Sequence, residues 1–183
     1  MGFSSVQALA DAELAGQTWY STWRKSPSQV STIGVWFDLS MSPGNPAPNY
    51  YIDTPGVFTA LRQRTDGGLR HGGNVSPAKK FLRKLMVMTP TAAATPLQMI
   101  LCDYIGFYGF IDESVLDEQF MDNTTPLPRH ADGVGVQMMP VVVAGHTGGQ
   151  TFTVKYTDAS GTTGLVTNTA RMSMQLVNGT ILN

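Results

Sequence analysis

Few side chains in this sequence have the types and spacing that reactive chemistry needs. The three histidines, His71, His130 and His146, all lie in glycine- or proline-rich stretches. Metal sites recruit histidine with cysteine or carboxylate at short spacings. Asp66 and Asp132 are the carboxylates that could join these histidines, yet no two histidines share a ligand-like spacing, so neither a metal nor a cofactor is expected. A single cysteine, Cys102, excludes an intrachain disulfide framework and a multi-cysteine zinc site. It lies in the apolar run from Leu97 to Tyr104, which predicts a buried, inert thiol, whereas an active one needs partial exposure and a lowered pKa. The carboxylate steps Asp112-Glu113 and Asp117-Glu118 are sequence neighbours on one acidic stretch. Glycoside hydrolysis needs its two carboxylates facing each other across a cleft. Gly67-Gly68 and Gly72-Gly73 lack the Gly-Lys-Ser/Thr ending of a phosphate loop and suit tight turns. No catalytic residue is assigned, and an enzyme is not expected.

Composition points the same way. The chain has 183 residues, 42% of them hydrophobic, enough for one domain with a real core. Only 14% are charged, against the usual quarter. A charge-poor surface fits either a neutral polar coat or contact with another protein, since interface cores are depleted in charge. The net charge of −1 supplies no general attraction for phosphates, so nucleic acid is not an expected partner. The densest basic cluster, Lys79, Lys80, Arg83 and Lys84, is too short for a basic arm and reads as a solvated strand flank. No run approaches the roughly 20 apolar residues of a membrane span. The N-terminus lacks the pattern of a secretory signal. Ten methionines fill core gaps or adapt to a neighbour's surface.

The elements that must position these residues are mostly strands. Residues 3–16 form the one convincing helical stretch, with Val6, Leu9 and Leu14 on a stripe, Ser4 or Ser5 to cap it and Gly16 to end it. Phe3, Val6, Leu9 and Leu14, with Trp19 and Trp23 beyond, are candidate protein-contact residues. Strands are predicted over 30–39, 50–52, 81–88, 97–104, 134–143, 151–157, 162–167 and 172–177, and 106–111 adds an aromatic extension. Residues 41–48 carry three prolines and a glycine and must be loop; Pro43, Pro46 and Pro48 are further contact candidates. Residues 65–77 form a long glycine-rich loop, and Pro140 places its strand at an edge, bulge or end. Short strands between Pro/Gly turns predict a mainly β fold, an antiparallel β-sandwich or jelly-roll-like domain with a short N-terminal helix and long Pro/Gly loops. Residues 1–28 are expected to form an N-terminal helix or arm, and 29–183 the sandwich. Ending on a strand, the chain is expected to pair with a neighbour there or to continue in a longer natural product.

Several phrases resemble a family of tailed-bacteriophage virion-associated structural proteins. They are VSTIGVWFDLSMSPGNPAPNYY (30–51), TDGGLRHGGNVSPAKKFLRKL (65–85), PLQMILCDYIGFYGFID (96–112), TPLPRHADGVGVQMM (125–139) and GGQTFTVKYT (148–157), in that order. The resemblance implies a component of the phage particle, made in the host cytoplasm and located in the virion. A capsid decoration or cement protein is the favoured role, contacting other virion proteins, the major capsid protein foremost, and forming a homo-oligomer. A tail, neck or baseplate component is the alternative within that class. From other classes come a carbohydrate-binding host-recognition module using Trp36 and Tyr50, and a small β-sandwich enzyme dependent on His71, His130 or Cys102.

Overall fold

The computed structural model describes residues 3–27, 34–62, 65–73, 75–90, 98–122, 124–144, 149–172 and 177–182. Among these residues the protein is mainly β, with one α-helix, one 3-10 turn and ten short strands. Two compact units emerge. The first joins Met1–Thr22 to Arg70–Asp103, and the second joins Trp23–Leu69 to Tyr104–Asn183. Residues 70–103 thus group with the N-terminal segment. No helix among the described residues is long and apolar enough to cross a membrane.

In the first unit, α1 spans Val6–Leu14, inside the stretch expected from sequence. Ser5 is its N-cap; its hydroxyl accepts from the Ala8 amide at 3.0 Å, satisfying one of the helix's orphan donors. At the other end Gly16 adopts φ 68°, and two bonds close a Schellman motif: Gly16 N to Glu13 O at 3.0 Å and Gln17 N to Ala12 O at 2.9 Å. Ala12 is the helix's buried residue, while Val6 and Leu14 are exposed. The segments 81–88 and 97–104, expected as strands and the second as buried on both faces, join no ladder among the described residues. Residues 81–88 and 98–103 are exposed throughout, and Leu97 lies outside the described residues. Apolar content marked these residues for burial, but among the described residues no strand pairs with them.

The second unit holds all the ladders, as five antiparallel pairs. Strand β1 (Arg24–Lys25) pairs with β3 (Gly44–Asn45), and β2 (Trp36–Phe37) with β10 (Thr180–Ile181). Strands β4 (Phe58–Ala60) and β5 (Gly106–Tyr108) form the longest pair. Strand β6 (Thr151–Phe152) pairs with β9 (Ala170–Arg171), and β7 (Lys155–Tyr156) with β8 (Leu165–Val166). The expected strand 30–39 is thus observed only at Trp36–Phe37; residues 28–33 lie outside the described residues, as do 173–176 of the expected strand 172–177. The alternating run 151–157 is broken in two, each half with its own partner. The strand expected over 134–143 is reduced to a single bridge from Val141 to Ile181; Pro140, outside any strand, accepts at its carbonyl from Leu182 N at 2.9 Å.

The core of this unit is small. Met41, Tyr51 and Leu61 are buried, with Tyr104, Phe107, Val141 and Val143 packed against them. Tyr51 meets Phe107 edge-on with ring centroids 5.2 Å apart. The strand expected at 50–52 is absent because Tyr51 adopts φ 51°, a left-handed conformation that turns the ring inward and cannot continue a ladder.

Candidate protein-contact surface

The proline loop is held from beneath by one lysine. Lys25 Nζ donates to three backbone carbonyls, Ser40 O at 3.1 Å, Ser42 O at 3.2 Å and Pro46 O at 2.9 Å. Its ammonium also lies 5.8 Å from the centre of the Trp23 ring. Burial depresses the Lys25 pKa below its ordinary value, opposed by the negative charges of Asp38 and Asp66. The β1–β3 pair and the bond from Ser26 N to Pro43 O at 2.8 Å fix the two sides of the loop. Trp23 is half-buried and donates its indole N–H to Gly67 O at 3.0 Å. The loop is thereby preorganised, which lowers the ordering cost of any contact it makes. Pro43 is exposed, and Pro46 and Pro48 are half-buried.

Beneath the loop lies a second, fully buried polar cluster. Tyr51 donates its hydroxyl to Asp38 Oδ2 at 2.8 Å, and Asp38 Oδ1 accepts from Ser40 N at 2.8 Å. Because the phenol's proton is committed to Asp38, Ser40 Oγ must be the donor in its 2.5 Å contact with Tyr51. Burial, followed by the Asp38 charge, pushes the Tyr51 phenol far above its ordinary pKa. Each member is satisfied, and the cluster fixes the 3-10 turn Leu39–Met41 from which the proline loop departs. The sequence singles out none of Lys25, Asp38 and Ser40, and Tyr51 only as an aromatic residue of the expected strand 50–52. The only local hint was the Asp-x-Ser spacing, since an aspartate readily accepts from the amide two residues on.

In the first unit, Phe3, Val6 and Leu14 are exposed and Leu9 is half-buried, so the helical stripe is largely uncovered. Trp19 is exposed but tethered, donating its indole N–H to Arg70 O at 3.2 Å. Glu13 accepts from Tyr20 Oη at 3.1 Å and pairs with Arg83. The contact candidates therefore fall into two groups, one on each unit: Phe3, Val6, Leu9, Leu14 and Trp19, and then Trp23, Pro43, Pro46 and Pro48.

The residues weighed for chemistry are dispersed. His71 and His130 are exposed, His130 at φ 53°, and His146 lies outside the described residues. Among the described residues no group of three His, Cys, Asp or Glu side chains could hold a metal ion. Cys102 is exposed, contrary to the buried thiol expected, because the strand predicted around it has no partner. Asp112 accepts from the Ser114 hydroxyl and amide, which holds its pKa below the ordinary value, and Glu118 pairs with Lys155. Gly67 serves a tight turn: it adopts φ 65°, and a Cβ there would lie 2.6 Å from Ser40 O. Trp36 and Tyr50 are both exposed on the second unit.

Large apolar side chains among the described residues stand uncovered. Phe81, Leu82, Met86, Met88, Leu116 and Phe120 are among the large apolar side chains in solvent. Comparisons with protein-family models, curated proteins and solved structures give no match to this chain.

Proposed function

We propose that this protein is a non-catalytic structural component of a bacteriophage virion, working by burying its surface against other virion proteins. The observation that carries the contact role is the set of large apolar side chains standing in solvent, Phe81, Met88, Leu116 and Phe120 among them. Large apolar side chains exposed together on a surface mark interaction sites in soluble proteins. Interfaces require shape and apolar complementarity, not perturbed titratable groups in a cleft. The particle itself enters through the resemblance of residues 30–157 to virion-associated proteins. Within the particle the favoured role is capsid decoration or cement, in which each copy adds contact area across a seam between capsid subunits. The preorganised proline loop and the helix stripe are the two contact elements. A sandwich or jelly-roll arrangement belongs to the same reading: the short pairs of the second unit would lengthen into facing sheets as neighbours take up their edges.

Mass spectrometry of purified particles, followed by a map that counts copies, tests this reading. Hundreds of copies on the shell support the cement role. Six or twelve copies at a vertex or along a tail move the protein to neck, tail or baseplate. Particles devoid of the polypeptide refute the proposal.

A further inference from the structure

Residues 75–90 carry four basic side chains, Lys79, Lys80, Arg83 and Lys84, and no acidic one. Phe81, Leu82, Leu85, Met86, Val87 and Met88 stand between and beyond them, all exposed, Met88 at 85%. The backbone of this segment makes no backbone–backbone hydrogen bond among the described residues. An apolar stretch with unpaired amides and carbonyls is a template for another chain.

Residues 111–122 have the opposite character. They carry Asp112, Glu113, Asp117, Glu118 and Asp122 and no basic residue. Ile111, Val115, Leu116 and Phe120 project into solvent from the same segment, Leu116 at 96% and Phe120 at 85%. Several of the charges on both segments have local work. Arg83 pairs with Glu13, Lys80 donates to His71 O and Gly73 O, Glu118 pairs with Lys155, and Asp112 and Asp122 accept from nearby amides. Among the described residues, Lys79 and Lys84 on one segment and Asp117 on the other make no hydrogen bond or ion pair.

We infer that a second copy of this chain covers both surfaces head to tail, residues 79–88 of one copy packing on residues 111–120 of the next. Apolar side chains meet apolar side chains, and Lys79 and Lys84 face Asp117. A second copy is the fitting occupant because each chain holds both halves of the complementary pair, in equal number. Where the two segments of one copy meet different neighbours the contact closes into a ring or runs on as a filament; where they meet the same neighbour it closes as a two-fold dimer. The inference rests on the contact reading above, not on the placement in a particle.

Sedimentation velocity on three proteins tests it: wild type, Lys79→Glu/Lys84→Glu, and Asp117→Lys/Glu118→Lys. The wild type self-associates in the micromolar range. Each variant alone associates roughly 100-fold more weakly, because like charges now face each other across the contact. Mixing the two variants restores association, since each altered segment then meets its complement. Equal helix and strand content by circular dichroism establishes that all three are folded. A monomeric wild type overturns the inference, as does an Asp117→Lys/Glu118→Lys protein that associates like wild type, or a mixture that fails to recover. Copies found on particles as isolated monomers sink this inference and leave the virion role. A self-assembling protein absent from particles does the reverse.

Discussion

Replacing Tyr51 by Phe removes one hydroxyl and keeps the ring. The contacts of that ring with Phe107 and Tyr104 survive, with centroids at 5.2 and 6.2 Å in the parent. What is lost is the donor to Asp38 Oδ2 and the acceptor for Ser40 Oγ, at residues with only 7% of their surface exposed. A hydrogen bond to a charged group contributes about 1.5–3 kcal/mol, so the variant should lose about 2 kcal/mol at neutral pH. The pH dependence separates this from a general packing defect. Burial and the Asp38 charge raise the phenol's pKa in the folded state, so folding favours the neutral form. The unfolded chain ionises near the ordinary value of 10.0. The contribution is therefore complete below pH 10 and is lost as pH rises above it, at about 1.4 kcal/mol per pH unit. The gap between wild type and Tyr51→Phe should shrink from about 2 kcal/mol at pH 7 to under about 1 kcal/mol at pH 11. Lys25 has the opposite sign: its folded pKa is lowered, so its contribution rises with pH up to its ordinary value, and Tyr108 is raised by burial and by Asp122. Both are present in each protein and cancel in the difference. Urea titrations followed by tryptophan emission measure it, since Trp23 and Trp36 belong to the same unit. A variant as stable as wild type, or a gap that does not change with pH, refutes the reasoning.

Gly67→Ala should destabilise the second unit by about 2 kcal/mol or more, because its φ of 65° disfavours a side chain and the new Cβ meets Ser40 O at 2.6 Å; a urea midpoint equal to wild type contradicts that close approach. Lys25→Met removes the donor from three loop carbonyls, so the Ser26 amide, bonded to Pro43 O, should exchange its hydrogen about tenfold faster. Unchanged exchange at Ser26 would mean the loop holds its shape without the lysine. Cys102 is exposed and should take up one equivalent of an aromatic disulfide reagent without denaturant. A thiol that reacts only after unfolding would return Cys102 to the buried position its sequence suggested.

The parts of the fold that could be read from sequence are those decided by a few neighbouring residues. Ser5 and Gly16 bracket a helix because an N-cap hydroxyl and a left-handed C-terminal glycine act within one turn of it. The prolines at 43, 46 and 48 exclude a long ladder wherever the rest of the chain lies. Asp158 organises its turn by accepting from Ser160 and Thr162 amides at 2.9 Å each, again a local matter. Lys25 was not legible in this way. Its three carbonyl partners lie fifteen to twenty-one residues away, and no pattern around Trp23 specifies that distance. Nor was Tyr51, whose left-handed φ runs against the preference of an aromatic residue for strands.

The misread strands at 81–88 and 97–104 have a different cause. Alternating or continuous apolar residues state that a segment gains free energy by leaving water; they do not say whose atoms replace the water. In a self-contained domain the answer is the same chain, and the strand forms where the pattern puts it. Here the charges beside the apolar residues carry the missing information. A segment whose flanking charges are all basic has no reason to stack on a copy of itself, and every reason to meet residues 111–122, where the charges are all acidic. Sign segregation over stretches of a dozen residues, in a chain whose net charge is −1, is thus the sequence feature that separates an unfinished strand from a half-made contact. That distinction depends on the sign of four lysines and arginines and five carboxylates, and reversing a few of them is enough to put it to the test.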